Sequence, residues 1–257
     1  MTTLAGRTIA ALRSEHDTLA ALVPALTADQ LTGPSGASEW TVADVLSHMG
    51  SGAEIQLAAL RAVLGEADAP GDGFNQSVWD RWNALSPQDQ ATGMLESDEA
   101  LVSALEAIPA ERHDELKVKT FMPEPVPLET FIGLRLSETA PHSWDVRAGI
   151  DPAAELLSAA LLAEHLTGGI GFLLGFIGKP AGVDAVISVA DTPYRIVIDN
   201  SVRLTTESPA TTASFDGPLE AAIRLLYGRL KPAFTPAGVS VSGNVSLDQL
   251  RAAFPGF

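Results

Sequence analysis

Apolar residues recur at helical spacing through the first part of the chain and give way to short alternating runs after residue 151. Between Ala5 and Leu26, the residues Ile9, Leu12, Leu19, Leu22, Val23 and Leu26 repeat every three or four positions, which predicts an amphipathic helix. A polar Gly/Pro/Ser stretch follows. Trp40-Thr-Val-Ala-Asp44 then opens a second helix, which Thr41 and Asp44 can start with a capping box and which runs to about Leu64, before Gly65. Ala67 to Leu85 mixes Pro and Gly with Phe74, Trp79 and Trp82 and predicts a loop with some short structure. Ser86-Pro87 is a good helix start; Met94, Leu101, Leu105 and Ile108 carry that helix to Pro109. After the Pro-rich link Met122 to Pro127, a fourth helix spans about Leu128 to Ala148 and stops at Gly149 and Asp151-Pro152.

Beyond that point the pattern predicts a long apolar helix, Ala153 to Ile177. The runs beginning at Asp184, Tyr194, Val202 and Ala210 are short, β-branched and partly alternating, the pattern of an antiparallel sheet. Helices at Pro218 to Leu230 and Leu247 to Phe254 flank a further short strand from Val239. The expected class is α+β: a four-helix bundle over 1–151, then a smaller α+β domain with an antiparallel sheet over 152–257.

Composition narrows the chemistry. A net charge of −16 opposes nucleic acid and anionic membrane surfaces as partners, since polyanions are repelled. The most apolar stretch, Leu156 to Gly178, is broken by Glu164, His165 and glycines and makes a poor membrane span. The first residues lack the basic-then-apolar pattern of a signal peptide, so a cytoplasmic protein is expected. There is no cysteine, so any metal must use nitrogen and oxygen donors, and any thiol must come from outside.

Five histidines are present. Glu138, His142 and Asp145 share one face of the fourth helix at 3.6 residues per turn. A carboxylate and an imidazole one turn apart form half of a divalent-metal site, although Glu-x-x-x-His is also a common intrahelical pair on a solvated face. Apolar neighbours, among them Phe131, Leu134 and Leu136, favour a less solvated setting, where an unpaired carboxylate is costly. His48, one turn after Asp44 and amid Val45, Leu46 and Met49, is either a further ligand or a core histidine satisfied by hydrogen bonds. Pro141 removes an amide inside the helix and should kink it beside His142. His16 on the first helix is either an extra ligand or pocket residue or, as its neighbours Glu15 and Asp17 suggest, in a wetter position; His113 is expected in solvent and His165 in a structural role.

The stretch Trp-Thr-Val-Ala-Asp-Val-Leu-Ser-His48, together with Glu138-Thr-Ala-Pro-His142-Ser-Trp-Asp145, resembles the mycothiol-dependent maleylpyruvate isomerase family, within the wider group of DinB-like metal-binding four-helix bundles. The resemblance extends over the whole chain and implies a sterol-carrier-protein-like α+β domain after the bundle. It implies a divalent metal, zinc in the usual assignment, on His48, Glu138 and His142, with an open position. Asp145 would orient a ligand or handle a proton, or else be a helix-surface acid. Arg229, in Leu225-Leu-Tyr-Gly-Arg229, matches the family's anion-gripping arginine; otherwise it is a cation at a helix C-terminus. The implied partners are mycothiol and a small electrophile, in a cis-trans isomerisation or an S-transfer. A non-catalytic binding protein, or a hydrolase using metal-bound water, shares the same residues. Asn75 to Trp82 are expected to contribute to the pocket.

Overall fold

In the computed structural model, which describes residues 3–256, most of the N-terminal helices begin where a side chain can accept the first free amides. Thr3 caps α1 (Leu4–Leu22) by accepting from the Gly6 amide. Thr27 and Gln30 form a capping box on the short α2 (Ala28–Leu31). Thr41 and Asp44 form the expected one on α3 (Val42–Leu64), which Gly65 ends in the left-handed conformation.

The segment 67–85, expected as a loop with some short structure, holds a ten-residue helix, α4 (Phe74–Asn83). Phe74, Val78 and Trp82 lie at i, i+4 and i+8, and the last two are buried. The indole N–H of Trp82 donates to Glu54 of α3 at 2.9 Å. Ser86 then caps α5 (Pro87–Glu106), with proline in its first turn. A two-stranded antiparallel ladder, β1 (Lys117–Val118) with β2 (Val126–Pro127), leads into α6 (Leu128–Ile150). α6 continues through Pro141 as one 23-residue helix, so the proline does not end it between the two candidate ligands.

Among these helices α3 packs on α5, α5 on α1, α1 on α6 and α6 on α3, closing a four-membered ring. Its interior holds Leu19, Val45, Leu46, Met49, Met94 and Trp82, all buried. Each such side chain contributes roughly 1.5–3 kcal/mol on leaving water. α6 is buried on nearly every side, so its polar residues cannot simply face solvent.

The chain divides into two compact units, Met1–Ile150 and Asp151–Phe257. In the second, the expected single helix 153–177 is two pieces, α7 (Ala159–Leu166) and α8 (Leu173–Ile177). Gly168, Gly169 and Gly171 fall between them, where backbone freedom costs the helix most. The strands β3 (Ala185–Val189), β4 (Arg195–Ile198), β5 (Val202–Thr205), β6 (Ala213–Asp216) and β7 (Ser240–Gly243) form one sheet in the order β5-β4-β3-β6-β7. Three of its pairings are antiparallel as expected, but β3 and β6 pair in parallel, so the sheet is mixed. Ile187, Ile196, Ile198 and Phe215 form its buried face.

α9 (Leu219–Leu226) ends in a Schellman turn: the Arg229 amide donates to the Arg224 carbonyl and the Gly228 amide to that of Leu225. Gly228 sits at φ 71°, and a Cβ there would come within 2.3 Å of Gly256, so glycine is required. α10 (Leu247–Ala253) follows with its own Ser246–Gln249 capping box.

Candidate metal centre

Arg135, Glu138, His142 and Asp145 occupy positions i, i+3, i+7 and i+10 of α6 and so form a single polar stripe on an otherwise buried helix. His48 reaches this stripe from α3. Its Nε2 lies 3.1 Å from Glu138 Oε2, and His142 Nε2 lies 3.7 Å from the same oxygen. One donor atom from each of the three residues falls within 4.8 Å of the other two. Donors around a tetrahedral ion with bonds of about 2.0–2.1 Å stand about 3.3 Å apart. The two separations, 3.1 and 3.7 Å, bracket that value, and two nitrogens plus a carboxylate oxygen suit a borderline divalent ion.

Asp145, whose side chain is inaccessible to solvent, accepts from His142 Nδ1 at 2.9 Å. That bond fixes the proton on Nδ1 and leaves the Nε2 lone pair directed at the cluster. The Gly36 amide donates to the Asp145 carbonyl at 2.8 Å. A Cβ on Gly36 would come within 2.6 Å of Trp144, so a loop residue without a side chain braces this turn of α6. Asp145 is therefore no helix-surface acid.

His48 is not a core histidine, because its side chain is 41% exposed. The side chain of Glu138 is half exposed by area, yet protein atoms crowd it on most sides, so it sits in a hollow that solvent enters. Burial, the largest single influence, pushes its carboxyl up, but the His48 hydrogen bond and the electrostatic pull of His142, His48 and Arg135 together outweigh it, and the carboxyl is held at about 2. It is an anion at neutral pH, as a ligand must be.

Trp40, just before the Thr41 cap, forms an aromatic wall over the cluster. Its ring stacks on His142 at 5.8 Å between centroids and tilts against His48 at 5.2 Å. Beneath the cluster, Arg135 Nη2 donates to Asp98 Oδ1 at 2.7 Å and to the Met49 carbonyl at 3.2 Å. Asp98 Oδ2 in turn pairs with His16 Nδ1 at 3.0 Å. The expectation of a wetter His16 is thus overturned: it is buried and lies against Asp98 and Glu99 rather than against the metal-ligand candidates. His113 is half-buried, with Nε2 against the Ile108 carbonyl, rather than free in solvent. His165 is buried.

Sequence reasoning passed over Trp40, Arg135 and Asp98. Arg135 could have been found by following the Glu138–His142 stripe one turn back. Arg229 belongs to the second unit, where it is buried and its Nη1 donates to the Tyr227 carbonyl at 2.8 Å. The cluster itself is built entirely by the first unit. No helix among the described residues is long and apolar enough to cross a membrane.

Residues 12–147, more than half of the chain, match the family model described as the mycothiol maleylpyruvate isomerase N-terminal domain. An uncharacterized protein of Mycobacterium tuberculosis is 31% identical over 156 residues, covering 56% of this chain and 72% of the relative. A second uncharacterized protein of that organism is 29% identical over 185 residues, covering 68% and 70%. The crystal structure of the mycothiol-dependent maleylpyruvate isomerase superposes with a TM-score of 0.64 at 16% identity, over 95% of this chain and 98% of that one. At that identity the likeness speaks for the fold.

Proposed function

The chain belongs to the mycothiol maleylpyruvate isomerase N-terminal domain family, and from that premise we propose a metal-dependent enzyme that uses mycothiol to attack a small electrophile. The observation that carries this reading is the convergence of His48, Glu138 and His142, with Asp145 on the far side of His142, in a chain without cysteine.

On this reading His48, Glu138 and His142 hold a divalent ion, zinc by the donor set. An ion held there would supply Lewis acidity, enough to favour the ionised form of a coordinating thiol at neutral pH. The protein's own residues prepare that event. Asp145 keeps His142 in the ligating tautomer, Glu138 offers a permanent negative charge, and Trp40 shields one side of the cluster from water.

The sulfur of the thiol adds to one carbon of an activated double bond, and the electron pair moves toward the activating carbonyl. The former double bond can then rotate. Return of the pair expels the same thiol and leaves the trans alkene, an isomerisation with no net consumption of thiol. If the carbanion is instead protonated, the adduct persists and the outcome is S-transfer. Arg229, as a guanidinium fork, would grip a substrate carboxylate.

Metal analysis of the purified protein tests the first step: about one zinc per chain is expected, lost in His48→Ala and His142→Ala. Mycothiol-dependent turnover of maleylpyruvate and of a panel of electrophiles, absent in Glu138→Ala, tests the second. A metal-free protein, with both histidine variants as stable as the wild type, would sink the reading. Turnover indifferent to mycothiol would replace it with hydrolysis.

A further inference from the structure

A groove between α3 and α4 opens directly from the candidate ligand His48. Asp44, His48 and Ser51 lie along one face of α3 at i, i+4 and i+7; Trp79 and Asn83 face them from α4 at i and i+4, and Trp40 closes the end. The hollow they line has a volume of about 370 Å³, within the range of small-molecule sites. Both indoles remain open to solvent, Trp40 at 38% and Trp79 at 43% exposed, although Trp82 one turn farther along α4 is packed into the core. Two large apolar rings thus stand partly in water at the mouth of the cluster, Trp40 as its wall and Trp79 across the groove, a surface suited to covering by a ligand.

The lining combines flat apolar faces with short hydrogen-bonding groups: a carboxylate, an amide and a hydroxyl. Ser51 already donates to the His48 carbonyl, which leaves its oxygen as an acceptor. Asp44 is occupied on Oδ2 by Thr41, and it is the only group of fixed charge in the lining. None of the six residues offers a Lys or Arg. A carboxylate-bearing electrophile would find repulsion here and no partner. A neutral, polyhydroxylated ring fits instead: its C–H face lies on an indole, and its hydroxyl groups donate to Asp44, Asn83 and Ser51.

We infer that this α3–α4 groove is the subsite for the hydroxylated, non-reacting part of the thiol cosubstrate, and that the electrophile approaches from elsewhere. This rests on the thiol-dependent reading above and deepens it. Binding the remote end of the thiol at Trp79 would hold its sulfur near His48, so that contacts far from the reacting bond reduce the cost of orienting it.

The test titrates glucosaminyl-inositol with its amine acetylated, as that nitrogen is an amide in mycothiol, calorimetrically into zinc-loaded wild type, Trp79→Ala, Trp79→Phe and Asn83→Ala. Exposed positions on α4 should tolerate these changes, and thermal melts check that they do. Expected is saturable binding to wild type, weakened about tenfold or more in Trp79→Ala and largely restored in Trp79→Phe, which keeps an aromatic face for the C–H surface of the ring. Where turnover is measurable, Trp79→Ala should raise KM for mycothiol by a larger factor than KM for the electrophile. No binding of the acetylated glucosaminyl-inositol to wild type, or equal binding to wild type and Trp79→Ala, overturns the subsite. Binding through Trp79 without any thiol-dependent turnover keeps the subsite and removes the proposed reaction instead. Binding of a dianion such as maleate that Trp79→Ala abolishes would assign the groove to the electrophile and overturn the inference.

Discussion

At the scale of single residues, the cluster depends on a hydrogen bond that touches no substrate. Asp145 accepts the Nδ1 proton of His142 from a fully buried position, so its charge acts on His142 without screening by water. Asp145→Asn keeps the shape but can present its amide N–H to Nδ1 and favour the wrong tautomer. Zinc affinity, measured by chelator competition, should fall about 10–100-fold, with the fold intact by circular dichroism. A second buried histidine carries a different consequence. The hydrogen bond to Asp98 raises the pKa of His16 against its burial, Glu99 adds to the rise and Arg13 opposes it. Asp98 is pushed up by burial but pulled lower overall by His16 and Arg135. His16 therefore stabilises the fold fully below its unfolded value of about 6.5, and that contribution is lost as pH rises through its higher folded value. Asp98 contributes fully above about 3.9, and its share is lost as pH falls through its lower folded value. Urea midpoints of wild type should accordingly decline as pH rises from about 6.5, and His16→Gln should lose that part of the slope; an unchanged slope would show that the pair does not titrate as described. The burial of His16 was legible in principle. Leu12, His16 and Leu19 share the inner face of α1, but the adjacent Glu15 and Asp17 drew attention to charge rather than to period.

Among the elements, the four long helices predicted for the bundle are present, and α3 even starts with the capping box its sequence describes. α4 was hidden because its apolar positions, Phe74, Val78 and Trp82, are separated by polar residues and preceded by Pro70, Gly71 and Gly73. Its helicity comes from docking Trp82 beside Gly50 and Glu54, a tertiary effect that local propensity does not contain. The parallel pairing of β3 with β6 was equally invisible, since alternation marks strands but not their neighbours. Of the site, the α6 stripe and His48 were readable as residue types at a spacing. Their convergence was not, because it depends on how α3 meets α6. Arg135 governs that meeting: one guanidinium holds the carbonyl of Met49, next to His48, and Asp98 on α5, from a position one turn before Glu138. Arg135→Met breaks a buried pair and should cost about 3 kcal/mol in urea unfolding of the metal-free protein, the low end of the usual range because His16 still faces Asp98. It should also weaken zinc binding, since the two ligand-bearing helices lose their shared anchor. A variant that is destabilised but binds zinc as tightly as wild type would confine Arg135 to stability.

For the molecule as a whole, the division at Ile150 separates two kinds of contribution. The residues proposed to bind the metal, their buried supports and the aromatic groove all lie in Met1–Ile150, as does the segment 12–147 that matches the family model. Arg229 and the mixed sheet lie in Asp151–Phe257. The helical unit has its own closed ring of packed helices and its own core, which is what an independently folding domain requires. A fragment ending at Ile150 should therefore unfold in one cooperative transition and bind one zinc within a few-fold of the full chain's affinity. If Arg229 holds the substrate, the same fragment should bind the acetylated glucosaminyl-inositol normally yet turn over no carboxylate-bearing electrophile, and Arg229→Met in the full chain should reproduce that pattern as a raised KM for the electrophile alone. Turnover by the fragment at the rate of the full chain would take Arg229 out of the reaction and reduce it to the cation that closes the α9 turn through the Tyr227 carbonyl. A fragment that folds but loses zinc would mean that the metal centre needs the second unit, although every donor belongs to the first.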